Sequence, residues 1–261
     1  MRSEREETSA PEGELRLIGL GAVPEVVPGD DLARLVIAAA AARGVALATG
    51  DVLVVTQKVV SKAEGRLVDL ATVEPSDLAQ RFAAAWGKDP RQVEVVLRES
   101  ARIVRMERGI LISQTAHGFV CANAGVDLSN VPGGQVACLL PRDPDGSARA
   151  LRGALGERLG VELAVIISDS FGRPWRWGIT NVAIGAAGLA PLADYRGRPD
   201  DHGRVMSASV LAVADELAAA AELVMGKVRR CPFAIIRGYT YERREGSAAE
   251  LVMDAASDLF R

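Results

Sequence analysis

The sequence predicts a mixed helix-and-strand protein folded as one integrated unit. Three observations predict it. Capped helical segments alternate with short, wholly apolar runs that read as buried strands. Of 261 residues, 49% are hydrophobic, enough for a sizeable core. No internal repeat and no Pro- or Ser-rich linker divides the chain.

Residues 1–14 are charged and polar and read as a solvated, disordered tail. Asp30 and Asp31 cap a helix through Leu32, Leu35, Val36 and Ala39, with Gly44 as its stop. Residues 51–56 (Asp-Val-Leu-Val-Val-Thr) follow a glycine turn and read as a buried strand. Lys58, Lys62 and Arg66 come next. From charge alone they read as a solvated basic edge rather than a phosphate-facing loop.

Ser76 and Asp77 open a short helix ending near Gly87, and Asp89-Pro90 starts another. Short strands joined at Gly109 and Gly118 occupy residues 102–121. Residues 122–134 carry too many Asn, Asp, Gly and Pro for a regular element and read as a loop. Ala148, Leu151, Leu155 and Leu159 give helical spacing, stopped by Gly160. The apolar run 163–168 predicts a buried strand ending at Ser168. The stretch after it, Ser168-Asp-Ser-Phe-Gly-Arg-Pro-Trp-Arg-Trp-Gly178, predicts a turn broken by Gly172 and Pro174. At least one of Trp175 and Trp177 is expected to pack under that turn. Residues 180–188 read as a small-residue strand and 195–204 as a loop of mixed charge. Residues 207–225 predict a long Ala-rich helix, 233–236 a strand, and a last helix starts near Ser247.

Composition excludes several classes of function. A net charge of −3 gives no reason to expect nucleic acid or an anionic membrane as partner. No apolar run approaches the roughly 18 residues of a membrane span, and the charged start is unlike a signal peptide, so the cytoplasm is expected. Three scattered cysteines fit a reduced protein, and Cys121 reads as an inert small hydrophobe. There is no P-loop, no HExxH and no GxSxG, and only two histidines.

What remains is oxygen and cationic chemistry. Asp127 with Asn130, and Asp169 with Ser170, offer hard donors in a number that suits Mg²⁺ or Mn²⁺ sharing phosphate oxygens and water. The same residues would equally serve as loop caps. Arg173 and Arg176 are close enough in sequence to meet one polyanion, through carboxylate or phosphate oxygens. Arg196, Arg198 and Arg204 are expected mostly to pair with Asp194, Asp200 and Asp201.

Three long segments resemble the coenzyme F420-0:γ-glutamyl ligases. They are Asp51-Val-Leu-Val-Val-Thr-Gln-Lys-Val-Val-Ser-Lys-Ala-Glu-Gly-Arg66, His117-Gly-Phe-Val-Cys-Ala-Asn-Ala-Gly-Val-Asp-Leu-Ser-Asn130 and Ile167-Ser-Asp-Ser-Phe-Gly-Arg-Pro-Trp-Arg176. Tyr195-Arg-Gly197, Ala214-Asp-Glu-Leu217 and Arg237-Gly238 extend the resemblance over nearly everything from Leu15 onward.

The resemblance implies an α+β fold particular to that family, with mixed sheets and packed helices, and an intertwined homodimer. It implies a GTP-dependent ligase that adds L-glutamate in γ-linkage to the phosphodiester-carboxylate tail of coenzyme F420-0. The route would be an acyl phosphate, with Mg²⁺ or Mn²⁺ required and K⁺ stimulatory. It puts Asp127, Asp169 and Ser170 on metal positions, with both aspartates catalytic. Val23, Pro24, Glu25, Val26, Gln57, Lys62, Asn130 and Lys227 fall on or near nucleotide positions, which reverses the reading of Lys62 as a solvated edge. Arg173 and Arg176 would suit substrate. Gln57 stands where relatives commonly have Ser, and Lys227 where archaeal relatives often have an acid or amide. No flavin-dependent reduction is expected of this chain. The same carboxylates would also suit a metal-dependent nucleotide phosphohydrolase, and the same pocket a non-catalytic deazaflavin-coenzyme-binding protein.

Overall fold

The computed structural model describes residues 13–128 and 135–258. The tail expected over residues 1–14 falls largely on residues 1–12, outside that range. In chain order the strands and helices are β1 (Arg16–Leu20), α1 (Leu32–Arg43), β2 (Val52–Thr56), α2 (Gln57–Ala63), β3 (Leu67–Asp69), α3 (Asp77–Trp86), α4 (Pro90–Arg98), β4 (Ser100–Glu107), β5 (Ile110–Thr115), β6 (Val120–Ala122), β7 (Val136–Cys138), α5 (Pro144–Leu159), β8 (Ala164–Arg173), β9 (Arg176–Ala187), β10 (Ala193–Asp194), β11 (Val210–Leu211), α6 (Val213–Met225) and β12 (Phe233–Arg237). The architecture is α+β with several sheets.

The helix ends follow local chemistry. The side chains of Asp31, Ser76, Asp89 and Asp143 accept hydrogen bonds from the first turns of α1, α3, α4 and α5. Gly44, Gly87 and Gly160 close α1, α3 and α5 in the left-handed region, where only glycine lacks a steric penalty.

The main sheet has the order β1-β12-β2-β8-β9. Only β2 and β8 run parallel; the other neighbours are antiparallel. The two faces of the sheet explain the continuous apolar runs in its central strands. Leu53, Val55, Val165 and Ile167 pack with α1 and α5 on one side. Val52, Val54, Ala164 and Ile166 pack with α6 on the other. A strand buried on both faces has no polar position to spare. Ala214, Ala218 and Ala221 of α6 are all fully buried, and their small side chains let the helix lie close on the sheet. A third apolar cluster joins α3, α4 and the residues around β5 and β7.

Five expectations are corrected. The strand expected to end at Ser168 continues to Arg173, because Asp169–Gly172 go on pairing with β9, from Val182 to Ile179. The turn is the two-residue tip Pro174-Trp175, and Trp175 takes a positive φ of 55° there. Neither indole packs under the turn: Trp175 is 81% exposed and Trp177 fully so.

The helix expected over 207–225 begins only at Val213. Val210 and Leu211 pair instead with β10, and Asp215 and Glu216 then fall in the first turn, where acids favour the helix dipole. The last helix is a single 3-10 turn, Ala248–Leu251. Its Ser247–Glu250 capping box forms, but the Ser247 hydroxyl and Ala248 N–H are also tied to Asp145, which holds the segment against the start of α5. Among the described residues no helix is long and apolar enough to cross a membrane.

Candidate active site

Sheet topology brings the site together at one edge. β1 and β2 end there and β12 begins there, since β12 is antiparallel to both. β8 runs through the same edge, with Ser168 opposite Thr56, the last residue of β2. Crevices beyond the carboxyl ends of parallel strands commonly hold ligands, because helix starts and loops converge on them. Here α2 begins at Gln57, directly after β2. A register shift in β9 beside Ser168 omits Ile184 from the ladder, the kind of bulge that re-aims neighbouring side chains.

The resulting cavity, of ≈580 Å³, is lined by Val23, Pro24, Glu25 and Val26 from the segment after β1. Thr56, Lys58, Val59 and Lys62 come from the β2–α2 junction, and Asp127 from the loop after β6. Asp169, Ser170 and Asn181 line it from the β8–β9 pair. Glu222 and residues 225–228 and 230–232 complete it from the end of α6 and the connection to β12.

Asp127 is fixed from both directions. Its backbone N–H and carbonyl pair with Cys138 at 3.0 and 2.8 Å. Before it, Asn123, Ala124 and Gly125 all have positive φ, a strained turn of the kind retained at functional sites. At position 125 glycine is required, because a Cβ would lie 2.7 Å from the Leu140 side chain. The Asp127 carboxylate accepts from Lys58 Nζ at 2.7 Å.

Asp169 faces the cavity but is hemmed in by protein. Burial pushes its carboxyl up to about 6, against the pull of the Ser170 N–H, Lys227 and Lys58; the nearby Asp127 charge adds to the rise. Beside it, Ser170 Oγ donates to Asn181 Oδ1 at 2.8 Å and accepts from Lys227 Nζ at 2.8 Å. Asn181 Nδ2 donates to Glu222 Oε2 at 3.1 Å. Lys227, Ser170, Asn181 and Glu222 thus form one polar chain along the cavity wall. Lys62 is buried and paired with Glu25, which ties α2 to the segment after β1.

The structure gathers most of the residues singled out from the sequence. Val23, Pro24, Glu25, Val26, Lys62, Asp127, Asp169, Ser170 and Lys227 line one cavity. Gln57 does not: it is buried behind the wall, accepting from Ser61 Oγ at 2.7 Å. Arg173 and Arg176 sit at the tip of the β8–β9 hairpin, outside the lining, and Arg173 Nη2 donates to the Trp177 carbonyl at 3.1 Å. Asn130 lies outside the described residues.

The solvated basic edge expected for Lys58, Lys62 and Arg66 is not formed. The two lysines turn into the cavity, and Arg66 is pinned between the Leu140 carbonyl and Glu99. Lys58, Asn181 and Glu222 are cavity residues the sequence reading did not assign. Lys58 carries a signal, a cation two residues past the end of a buried strand. Asn181 is a polar residue within a small-residue strand and Glu222 an acid within an Ala-rich helix, and neither spacing marks a site. Cys121 meets expectation: it is buried, and burial pushes its thiol up to about 12, so it stays protonated. Arg196 pairs with Asp194 as expected, whereas Arg198 lies over the Tyr195 ring.

Two carboxylates and a hydroxyl make a hard oxygen set, the kind Mg²⁺ and Mn²⁺ accept. Among the described residues no group of three or more His, Cys, Asp or Glu could hold an ion unaided. A divalent ion at Asp127, Asp169 and Ser170 therefore needs ligand oxygens and water to complete its shell. The partly desolvated Asp169, raised by burial, is the group with most to gain from such a cation. With three lysines around two aspartates, the arrangement suits a polyphosphate bridged to the acids by metal. Replacing Lys227, exposed at its outer end, by Met is expected to lower kcat/KM by about tenfold, the size of one lost charge-assisted hydrogen bond, with Tm unchanged. Steady-state kinetics and thermal melting check both halves.

The family model described as F420-0:Gamma-glutamyl ligase matches residues 21–238. Three curated relatives share its range. The coenzyme F420:L-glutamate ligase of Methanothermobacter thermautotrophicus is 48% identical over 250 residues, covering 95% of this chain and 99% of the relative. That of Methanopyrus kandleri is 48% identical over 242 residues, 91% and 94% of the two chains. That of Haloarcula marismortui is 40% identical over 254 residues, 95% and 96%.

Proposed function

Because the chain belongs to the F420-0:gamma-glutamyl ligase family, we propose that its cavity joins L-glutamate to the carboxylate of coenzyme F420-0 at the expense of GTP. The protein is a ligase of coenzyme F420 biosynthesis; the nucleotide, the intermediate and the residue roles are the proposal. One observation carries it: Lys58, Lys62 and Lys227 converge with Asp127, Asp169 and Ser170 in a single cavity bounded by Val23–Val26.

The acceptor carboxylate attacks the γ-phosphorus of GTP, the bond to the β-phosphate oxygen breaks, and GDP leaves. The glutamate amine then attacks the acyl phosphate carbon, forming the amide and expelling phosphate. Neither step needs a protein nucleophile. Both need negative charge neutralised and three reactants aligned. Lys62, held by Glu25 next to the Val23–Val26 segment, and Lys227, at the opposite wall, grip phosphate oxygens from two sides. Lys58 orients Asp127. Asn181 holds Ser170 in place and is itself held by Glu222. A divalent ion held by Asp127, Asp169 and Ser170 would act as a Lewis acid on the transferring phosphoryl group. Gln57 supports the α2 start from behind. Arg173 and Arg176 reach substrate only if their hairpin meets it beyond the cavity.

We also infer a homodimer, supported by the bare apolar hairpin of Trp175, Trp177 and Ile179. The reaction belongs in the cytoplasm, where three unpaired cysteines stay reduced. The test is a product mass spectrum. Protein, coenzyme F420-0, glutamate, GTP and Mn²⁺ are expected to yield acceptor heavier by glutamyl units, with one GDP per amide. Replacing K⁺ by Na⁺ in the same assay is expected to slow it. GTP turnover indifferent to acceptor and glutamate would instead identify a nucleotide phosphohydrolase. Coenzyme binding with no turnover would identify a binding protein.

A further inference from the structure

A second cavity, of ≈680 Å³, lies against the first. Its lining is Arg16, Leu17, Ile18 and Gly19 of β1, Arg43 and Val45 at the end of α1, and Val224, Arg229 and Cys231 around the α6–β12 connection. Cys231 lines both cavities. The connection divides them: Gly226, Lys227, Val228 and Arg230 line the active-site cavity, and Arg229 the second one.

The charge of this cavity is unusual for the molecule. The chain as a whole carries −3, yet the lining has three arginines and no carboxylate. Elsewhere arginines are mostly paired with acids, as at Arg66, Arg91, Arg158, Arg196, Arg237 and Arg244. Among the described residues Arg16, Arg43 and Arg229 form no such ion pair. Three guanidinium groups around one concavity repel each other until an anion with several charges enters, and their forked donors match carboxylate or phosphate oxygens. The apolar floor of Leu17, Ile18, Val45 and Val224 suits a ligand with methylene groups between its charges.

We propose that this cavity is a binding site for an oligocarboxylate, namely the γ-glutamyl chain carried by acceptor or product. This rests on the ligase reading above. Every γ-linked glutamate keeps a free α-carboxylate, separated from the next by two methylenes and an amide. A chain growing in the first cavity and passing Cys231 would present that spacing of charges to Arg229, Arg43 and Arg16. The site positions substrate and takes no part in bond making.

The test uses the intact protein and its Arg43→Gln/Arg229→Gln variant, with Arg16→Gln added as a triple. All three arginines are exposed and lack ion pairs among the described residues, so folding should be unaffected. The probes are synthetic tri-γ-glutamate and inorganic phosphate, titrated by calorimetry, together with product lengths by mass spectrometry. Each arginine lost is expected to weaken tri-γ-glutamate binding by about tenfold, as for one charge-assisted bond. The first glutamate should be added at the unmodified rate, and products should be shorter. Unchanged tri-γ-glutamate binding in the triple variant overturns the proposal. So does loss of phosphate binding alone, which would make this a site for inorganic or nucleotide phosphate. If the unmodified protein makes no γ-glutamyl product, the ligase reading fails, and the calorimetric arm still decides what the cavity binds.

Discussion

Asp169→Asn is expected to lower ligase turnover by at least about 10²–10³-fold while making the metal-free protein more stable at neutral pH. The loss follows from the carboxylate's place. It lines the cavity with Ser170 and Asp127, where the proposed phosphoryl transfer would develop charge, and an amide there can neither carry the charge nor bind a divalent ion as strongly. The gain follows from its burial. The folded carboxyl titrates at about 6, above its ordinary 3.8. Between those values the folded state binds a proton that the unfolded state has released. Asp169 therefore costs the fold nothing below about pH 4; the cost grows between about pH 4 and pH 6 and stays level above that. At pH 7 it amounts to roughly 1–3 kcal/mol, discounted for water reaching the cavity. Melting curves with a chelator present should show Asp169→Asn above the unmodified protein at pH 7 and level with it near pH 4. A variant that keeps a tenth of its turnover would remove Asp169 from the chemistry, and one that melts lower at pH 7 would show that its carboxylate stabilises the fold.

Asp51→Ala is expected to be the most damaging single change to the fold. Asp51 is 1% exposed, at the entry to β2. Its carboxylate accepts two hydrogen bonds of 2.8 Å from Arg237 at the end of β12 and one of 2.8 Å from the Ala48 N–H. The pair locks the register of two central strands and the turn before β2. Removing the acid leaves a largely buried guanidinium without its counter-charge, which costs about 3–5 kcal/mol. For a chain of this size that lowers Tm by about 6–20 °C. Asp51→Asn, which keeps the shape and some hydrogen bonding, should fall between the two. Chemical denaturation measures the loss; a change below about 1 kcal/mol for Asp51→Ala would show the pair to be dispensable. Both residues lie in segments that carry the family resemblance, and neither lines the active-site cavity.

Much of the fold was legible because it is local. The caps at Asp31, Ser76 and Asp89, the stops at Gly44, Gly87 and Gly160, and the hairpin at Gly109 each depend on residues within about four positions. The boundaries that failed were set by partners far along the chain. β8 runs past Ser168 because Ile179–Val182 pair with it, α6 starts late because Val210 and Leu211 pair with β10, and Ser247 begins only one turn because Asp145 holds it.

The same division holds for the site. By its motifs the sequence alone determined the family; by residue type it offered hard oxygen donors at Asp127, Asp169 and Ser170, which would equally serve as loop caps, and Lys62 joined them only through the resemblance. Only the tertiary structure decided that Lys58 faces Asp127, that Gln57 sits behind the wall, that Arg173 and Arg176 stand at a hairpin tip, and that Arg16, Arg43 and Arg229 share a second cavity. Residue identity fixes what a side chain can do. Which side chains act together depends on the β2–β8 and β1–β12 pairings that bring distant segments to one sheet edge, and no local pattern encodes those pairings.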